Sequence, residues 1–270
     1  MLHVVAACRK LSSFVSKMCV ICDTPEDVLI HLSTIKCTGC SKLTKIPATL
    51  INLKSLNCLD CRFLTEIPDT LLKLQELICT GCPFLTKIPC TLTNLTTLHC
   101  LRCPGLSEIP STFVNLISFH CSHSILSNLP SSLVNLEELN LGYCLNVITI
   151  PSTFTKLKHL ELFGCPGVSC IPSTFINLLT IWCFQCFRLT TMPGSLSQLK
   201  TLIYKECSSL YIPFKIQQKL QIKANNKIPI FASKLRRSWR RIQMKRMTNF
   251  LAQTNAFPMV LNGLVATYLF

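Results

Sequence analysis

A proline returns at nearly constant spacing along most of the chain: Pro47, Pro68, Pro89, Pro110, Pro130, Pro151, Pro172, Pro193 and Pro213 lie 21 residues apart, with two intervals of 20. Self-similarity at such a period marks an array of one supersecondary unit, so the repeat constrains the fold before any element is assigned. An earlier copy begins at Pro25, one residue longer, and a contracted copy surrounds Lys219 to Pro229. About ten units are expected over residues 25–229.

Within one unit the apolar positions are Leu50, Leu53, Leu56, Cys58, Cys61, Leu64, Ile67 and Leu71, and only the step from Leu56 to Cys58 has period two. Period two marks extended chain, whereas spacings of three suit tight turns and 3₁₀ pieces. Each unit therefore predicts one short strand followed by three sides of turns. One coil cannot enclose a core, but stacked coils place each apolar column over the next and pair their strands in parallel. Proline suits the first residue of a helical turn opposite the strand. Two residues after it stand Thr49, Thr70, Thr91, Thr112, Ser132, Thr153, Thr174 and Ser195. Their hydroxyls are read as local caps of backbone N–H groups, with an array of phosphorylation sites as the functional alternative.

Leu53-x-x-Leu56-x-Cys58-x-x-Cys61 resembles the leucine-rich-repeat signature L-x-x-L-x-L-x-x-N/C-x-L, and the match recurs at Leu74–Cys82, Leu95–Cys103, Leu136–Cys144, Leu157–Cys165, Leu178–Cys186 and Leu199–Cys207. The unit length and its I-P-x-T-L extension are similar to the short bacterial and plant-resistance repeat types. The resemblance implies an α/β repeat solenoid: a horseshoe with a parallel sheet on the concave face, 3₁₀ and turn segments on the convex face, helical caps, and partners bound on the concave side.

A C-x-x-C in so many repeats invites a zinc reading, since two such pairs complete a tetrahedral site. Repeat phase argues against it. Cys37, Cys58, Cys79, Cys100, Cys121 and Cys183 share a strand column with Leu141, Leu162 and Tyr204, and leucine ligates nothing. The second column, Cys40, Cys61, Cys82, Cys103, Cys144, Cys165, Cys186 and Cys207, holds the family's Asn/Cys position, and Ser124 replaces it in a shortened repeat. These cysteines are expected to be structural thiols, with no metal and no cofactor. The chain's first residues make a poor signal peptide, because Arg9, Lys10 and Lys17 interrupt the apolar stretch. The thiols are accordingly expected in a reducing compartment, cytoplasmic or nuclear.

Residues flanking the inward strand positions point outward, and their chemistry varies freely between repeats. His99, His120, His123, Tyr143, His159, Glu161, Phe163, Trp182, Phe184 and Lys205 fall on or beside this face. Exposed aromatics beside polar groups are typical anchors of protein interfaces; single exposed apolar residues on an ordinary surface are the plainer reading. A shallow open sheet offers no water-excluding pocket, so no catalytic residue is expected.

The ends differ in charge. Residues 1–24 predict a helical N-terminal cap, with Thr24-Pro25-Glu26-Asp27 resembling a helix start. Residues 207–270 carry eleven Lys/Arg and no acid, against sixteen Lys/Arg and twelve acids before them. Leu220-Gln221-Ile222 is expected as the last strand, with Lys219 and Lys223 on the outward face. Within residues 230–270, Lys234, Arg236, Arg237, Arg240, Arg241, Lys245 and Arg246 surround Leu235, Trp239 and Ile242, the spacing of a basic amphipathic helix. Anionic lipid or nucleic acid favours such a segment. The apolar run that follows is expected to cap the last coil; tail anchoring in a membrane is the alternative, on a run diluted by polar residues. The overall expectation is a monomeric scaffold that binds a protein partner. The alternatives are an adaptor recruited to membrane or nucleic acid by the basic helix, and a substrate-recognition subunit for a ubiquitin ligase.

Overall fold

A computed structural model describes residues 19–220. Two one-turn helices, α1 (Val20–Asp23) and α2 (Glu26–Leu29), precede nine strands: β1 (Thr34–Lys36), β2 (Ser55–Asn57), β3 (Glu76–Ile78), β4 (Thr97–His99), β5 (Ser118–His120), β6 (Glu138–Asn140), β7 (His159–Phe163), β8 (Thr180–Phe184) and β9 (Thr201–Lys205). A short helix, α3 (Phe214–Lys219), follows. The strands form one parallel sheet in sequence order, each paired with the next. Equivalent repeat positions lie side by side, as in Leu56 against Leu77 and Leu98 against Phe119.

That register turns the repeat's apolar spacing into continuous columns. Leu56, Leu77, Leu98, Phe119, Leu139, Leu160 and Ile181 stack inward, with Cys58, Cys79, Cys100, Cys121, Leu141, Leu162 and Cys183 beside them, all fully or almost fully buried. Burial pushes the Cys100 and Cys121 thiols well above their ordinary range, as suits inert core groups. Behind the prolines, Leu50, Leu71, Leu92, Phe113, Leu133, Phe154 and Phe175 fill a third column with no exposure. The convex side consists of separate turns, such as Leu53 N–H to Leu50 O at 3.0 Å and Leu74 N–H to Leu71 O at 3.0 Å; 3₁₀ helices proper are absent from the described residues.

The hydroxyl column does something other than capping. Thr70 Oγ1 donates to the Ala48 carbonyl at 2.6 Å, Thr91 to Asp69 at 2.7 Å and Thr112 to Cys90 at 2.6 Å. Ser132, Thr153, Thr174 and Ser195 repeat the bond at 2.6 Å. Each acceptor lies in the preceding coil, so these hydroxyls join coils and cap nothing within their own turn. Asn94, Asn115, Asn135 and Asn177 do the same with side-chain amides, at 2.8–3.0 Å. The second cysteine column completes the pattern on the other side of the core. Cys61 Sγ donates to Cys37 O at 3.0 Å, Cys103 to Cys79 O at 3.0 Å and Cys186 to Leu162 O at 2.8 Å. Where Ser124 replaces cysteine, its hydroxyl meets Cys144 Sγ at 3.3 Å.

The ends depart from expectation. α2 starts one residue later than the Thr24-Pro25 reading, with Pro25 at its N-cap, no side-chain cap, and Glu26 and Asp27 in the first turn. Lys219 belongs to α3 rather than to an outward strand face, and its Nζ reaches the Ser197 carbonyl. Pro213 fixes that N-cap, Ile216 buries α3 against the core, and Leu220 is its C-cap. The basic segment 234–246, Gln221–Ile222 and the N-terminal residues 1–18 lie outside the described residues. No described helix is long and apolar enough to cross a membrane.

Candidate functional site

The outward face of the sheet is a surface of cross-strand pairs, because parallel register sets each outward side chain beside its counterpart one repeat away. Ile78, His99, His120, Asn140, Glu161, Trp182 and Ile203 form its central row. His99 and His120 stack with ring centroids 4.3 Å apart and planes 8° from parallel. Burial draws both imidazoles below their usual range; the neighbouring His99 adds to the effect on His120, while Glu138 opposes it. His120 Nε2 lies 3.8 Å from Glu138 Oε2, too far for a direct hydrogen bond.

Three repeats further on, aromatic rings take over. Phe163 stacks on Phe184 at 5.1 Å and meets the edge of Trp182 at 6.2 Å and 72°. Between the two ring groups Asn140 bridges: its amide donates to Glu161, and its Oδ1 accepts from Ser122 Oγ at 2.5 Å and from the Gly142 N–H at 2.9 Å. Burial raises the Glu161 carboxyl above the usual range; the Asn140 bond opposes this and Glu138 adds to it. Trp182 Nε1 and His99 Nε2 are buried and have no hydrogen-bond partner among the described residues.

The face thus brings His99 to His120 and Phe163 to Trp182 and Phe184, and leaves other sequence-predicted residues apart. His159 is exposed at the start of β7 and stacks on no ring among the described residues. Lys205 Nζ pairs with Glu206 at 3.1 Å, so it is not an unpaired cation of the face. His123 and Tyr143 stack at 4.5 Å beyond the strand ends, and burial followed by the Arg102 charge depresses His123 to about 4.

Those last two belong to a column invisible in the sequence reading. Gly39, Asp60, Gly81, Arg102, His123, Tyr143, Gly164, Gln185 and Glu206, one per coil, all have φ between 55° and 75°. Six are not glycine, at a cost of about 1–2 kcal/mol each. In all but Glu206 the conformation aims the N–H at the next coil, as Asp60 to Thr80 O at 2.7 Å and His123 to Gly142 O at 2.8 Å. At two of the three glycines a neighbour needs the room: a Cβ on Gly81 would lie 2.1 Å from Asp60 Oδ1, which reaches across to Arg102 at 3.2 Å, and one on Gly164 would lie 2.8 Å from the Tyr143 ring, whereas Gly39 faces open space. The glycines of Cys79-Thr80-Gly81-Cys82 and of Gly164-Cys165 were the available signal.

No three His, Cys, Asp or Glu side chains converge on this face among the described residues, and the one such group, Cys19, Cys22 and Cys40, lies at the N-terminal end. A shallow groove at the other edge of the sheet, lined by Gln75, Asn94, Thr96, Asn115, Asn135 and Lys156, holds none of the residues singled out above. What the face presents is stacked rings and two unpaired ring nitrogens.

No family model and no curated protein matches the chain. Solved structures do. The leucine-rich repeat domain of the type III effector XCV3220 (XopL) superposes with a TM-score of 0.55 at 23% identity, covering 67% of this chain and 71% of that domain. The functional domain of InlJ from Listeria monocytogenes, described as including a cysteine ladder, matches 73% of this chain at 19% identity and a TM-score of 0.40, and this chain spans 58% of it. The ectodomain of the Arabidopsis receptor kinase HAESA, solved with an IDA peptide hormone, matches 66% at 18% identity and a TM-score of 0.40, with 33% of that chain covered. Repeat sequence, parallel coil-by-coil sheet and the XopL superposition agree, and the chain has the leucine-rich-repeat fold.

Proposed function

We propose that this solenoid is a protein-binding module without catalysis of its own, and that its partner docks on the outward sheet face between His99 and Phe184. The observation that carries the reading is the Phe163–Trp182–Phe184 cluster, a half-buried aromatic group whose Trp182 Nε1–H lacks an acceptor within the described residues. The half-buried rings leave apolar surface on this face for a partner to cover. Aromatic residues of this kind act as interface anchors. In the same sense, the HAESA ectodomain named above was solved with a peptide hormone.

The test is affinity capture from native lysate by the wild type and by a Trp182→Ala/Phe184→Ala double variant that keeps its circular dichroism and melting temperature. A partner retained equally by both would remove the sheet face from the proposal.

Charge favours a second reading, in which the basic segment recruits the module to anionic lipid or nucleic acid: all eleven charged residues after Glu206 are Lys or Arg. Reversing Arg236, Arg237, Arg240 and Arg241 to Glu should then abolish binding to anionic vesicles or RNA, and added salt should weaken it steeply. Supply of substrates to a ubiquitin ligase would be a use of the same face through a partner.

A further inference from the structure

Within the repeats the column cysteines are either packed inward or bonded to the carbonyl of the coil before. The first coil is different. Cys40 occupies the second-column position, but among the described residues no coil precedes it to offer a carbonyl. There the N-terminal cap supplies sulfur instead: Cys22 Sγ lies 3.8 Å from Cys40 Sγ, and Cys19 Sγ lies 2.7 Å from Cys37 Sγ. The sulfurs of Cys19, Cys22 and Cys40 are all within 4.8 Å of one another. Cys19 and Cys22 stand outside the repeat phase, so the argument that leucine substitutes for cysteine in the columns does not reach them.

We propose that Cys19, Cys22, Cys37 and Cys40 bind one Zn²⁺ ion as four thiolates, fastening the N-terminal cap to the first coil. Two C-x-x-C pairs with fourteen residues between them approach the spacing of tetrathiolate zinc sites. Zinc–sulfur bonds of about 2.3 Å in a tetrahedron set sulfurs about 3.8 Å apart. Cys22 and Cys40 already stand at that separation, whereas Cys19 and Cys37 need to part by about 1 Å and the Cys37 sulfur, which is not within 4.8 Å of all three others, has to turn toward them to close the tetrahedron. Both pairs carry a backbone N–H directed at sulfur, Cys22 N to Cys19 Sγ and Lys42 N to Cys40 Sγ, each at 3.4 Å. Such donors favour thiolate over thiol. Two disulfides, Cys19–Cys37 and Cys22–Cys40, are the oxidised alternative for the same four sulfurs, and disulfides in the native chain that leave no zinc bound after reduction are the outcome that favours them. Binding converts four thiols and Zn²⁺ into the tetrathiolate complex with release of four protons, and nothing is oxidised. Within the described residues α1 and α2 are single turns that bury only Ile21 and Leu29, so a metal link would add to the little packing they provide.

The test uses the full chain, reduced and anaerobic, with ZnCl₂ as probe. One equivalent should be retained by native mass spectrometry, and Co²⁺ in its place should give the visible spectrum of a tetrahedral tetrathiolate. Zinc should also protect Cys22 and Cys40 from iodoacetamide until a chelator is added; both are solvent-reachable and neither is a core residue. Cys22→Ser and Cys40→Ser should each weaken binding roughly a hundredfold or more. The control Cys90→Ser/Cys170→Ser, at exposed cysteines outside the cluster, should not. Failure of the reduced wild type to retain zinc, or equal retention by a Cys22→Ser/Cys40→Ser double variant, overturns the site. The cobalt and protection experiments decide the matter even if a variant does not fold.

Discussion

The turn side and the sheet face of this solenoid are built on the same period, yet they use it in opposite ways. Behind the prolines the chemistry is nearly uniform: seven coils from Thr70 to Ser195 place a hydroxyl on the carbonyl of the coil before, and four asparagines add an amide. On the sheet face, by contrast, the central row runs from Ile78 through two histidines, an amide and a carboxylate to Trp182. Uniform positions hold coils together, and variable ones are available for recognition. Stability and binding should therefore separate cleanly between the two sides.

The largest effect should come from the column behind the prolines. Phe154→Ala empties a fully buried ring site and should cost about 3–5 kcal/mol in denaturant unfolding. A loss below about 1 kcal/mol would show that the coils collapse around the gap and that uniform packing is not what sets stability.

On the sheet face, Trp182→Ala and Phe184→Ala should each weaken partner binding by about 1–3 kcal/mol with little change in melting temperature. Comparable losses of stability and binding would dissolve the contrast. Smaller again is the expected effect of Asn135→Ala, which deprives the Val114 carbonyl of a donor at 2.8 Å and should cost about 1 kcal/mol of stability while leaving binding untouched.

Acid should distinguish the faces more gently. His123 falls from an ordinary 6.5 to about 4 in the folded chain, so the unfolded chain binds the proton first. Its contribution to stability is present above 6.5 and is lost as pH falls from there through about 4. His99 and His120 shift the same way. Any titration of binding through these rings is thus displaced toward lower pH than that of free imidazoles. Urea unfolding of the wild type and His123→Gln across this range measures the effect, and identical pH slopes would remove His123 from the account.

Much of this was legible in the chain itself. The spacing of Leu56 and Cys58 identified the inward strand positions, and the leucines at 141 and 162 correctly marked the Cys58 column as core. The apolar period alone settles such matters, because only one arrangement buries every column. Neighbours across coils were less accessible. Spacing within a unit says what a hydroxyl can reach in its own turn, and Thr112 bonds to Cys90 in the turn before. Nor does any side chain announce the left-handed residue of each coil, because Arg102, His123 and Tyr143 adopt it as Gly81 does. Cys19 and Cys22 escaped notice for a related reason: no second copy exists to reveal their phase.

In three columns the side-chain bonds to carbonyls between coils point one way, unlike those of the sheet face, where Asn140 donates to Glu161 in the following coil. Thr112, Asn115 and Cys103 each donate toward the N-terminal neighbour, and the same holds wherever their columns recur. The stack therefore has a polarity, like a fibre with a growing and a resting end. Removing coils from the C-terminal end uncovers the carbonyls of these columns, together with the left-handed N–H groups, and water reaches both. Removing them from the N-terminal end strands hydroxyl, amide and thiol donors that were shaped to meet a surface no longer there. Synthesis on the ribosome proceeds in the favourable direction, since each emerging coil finds its acceptors already in place.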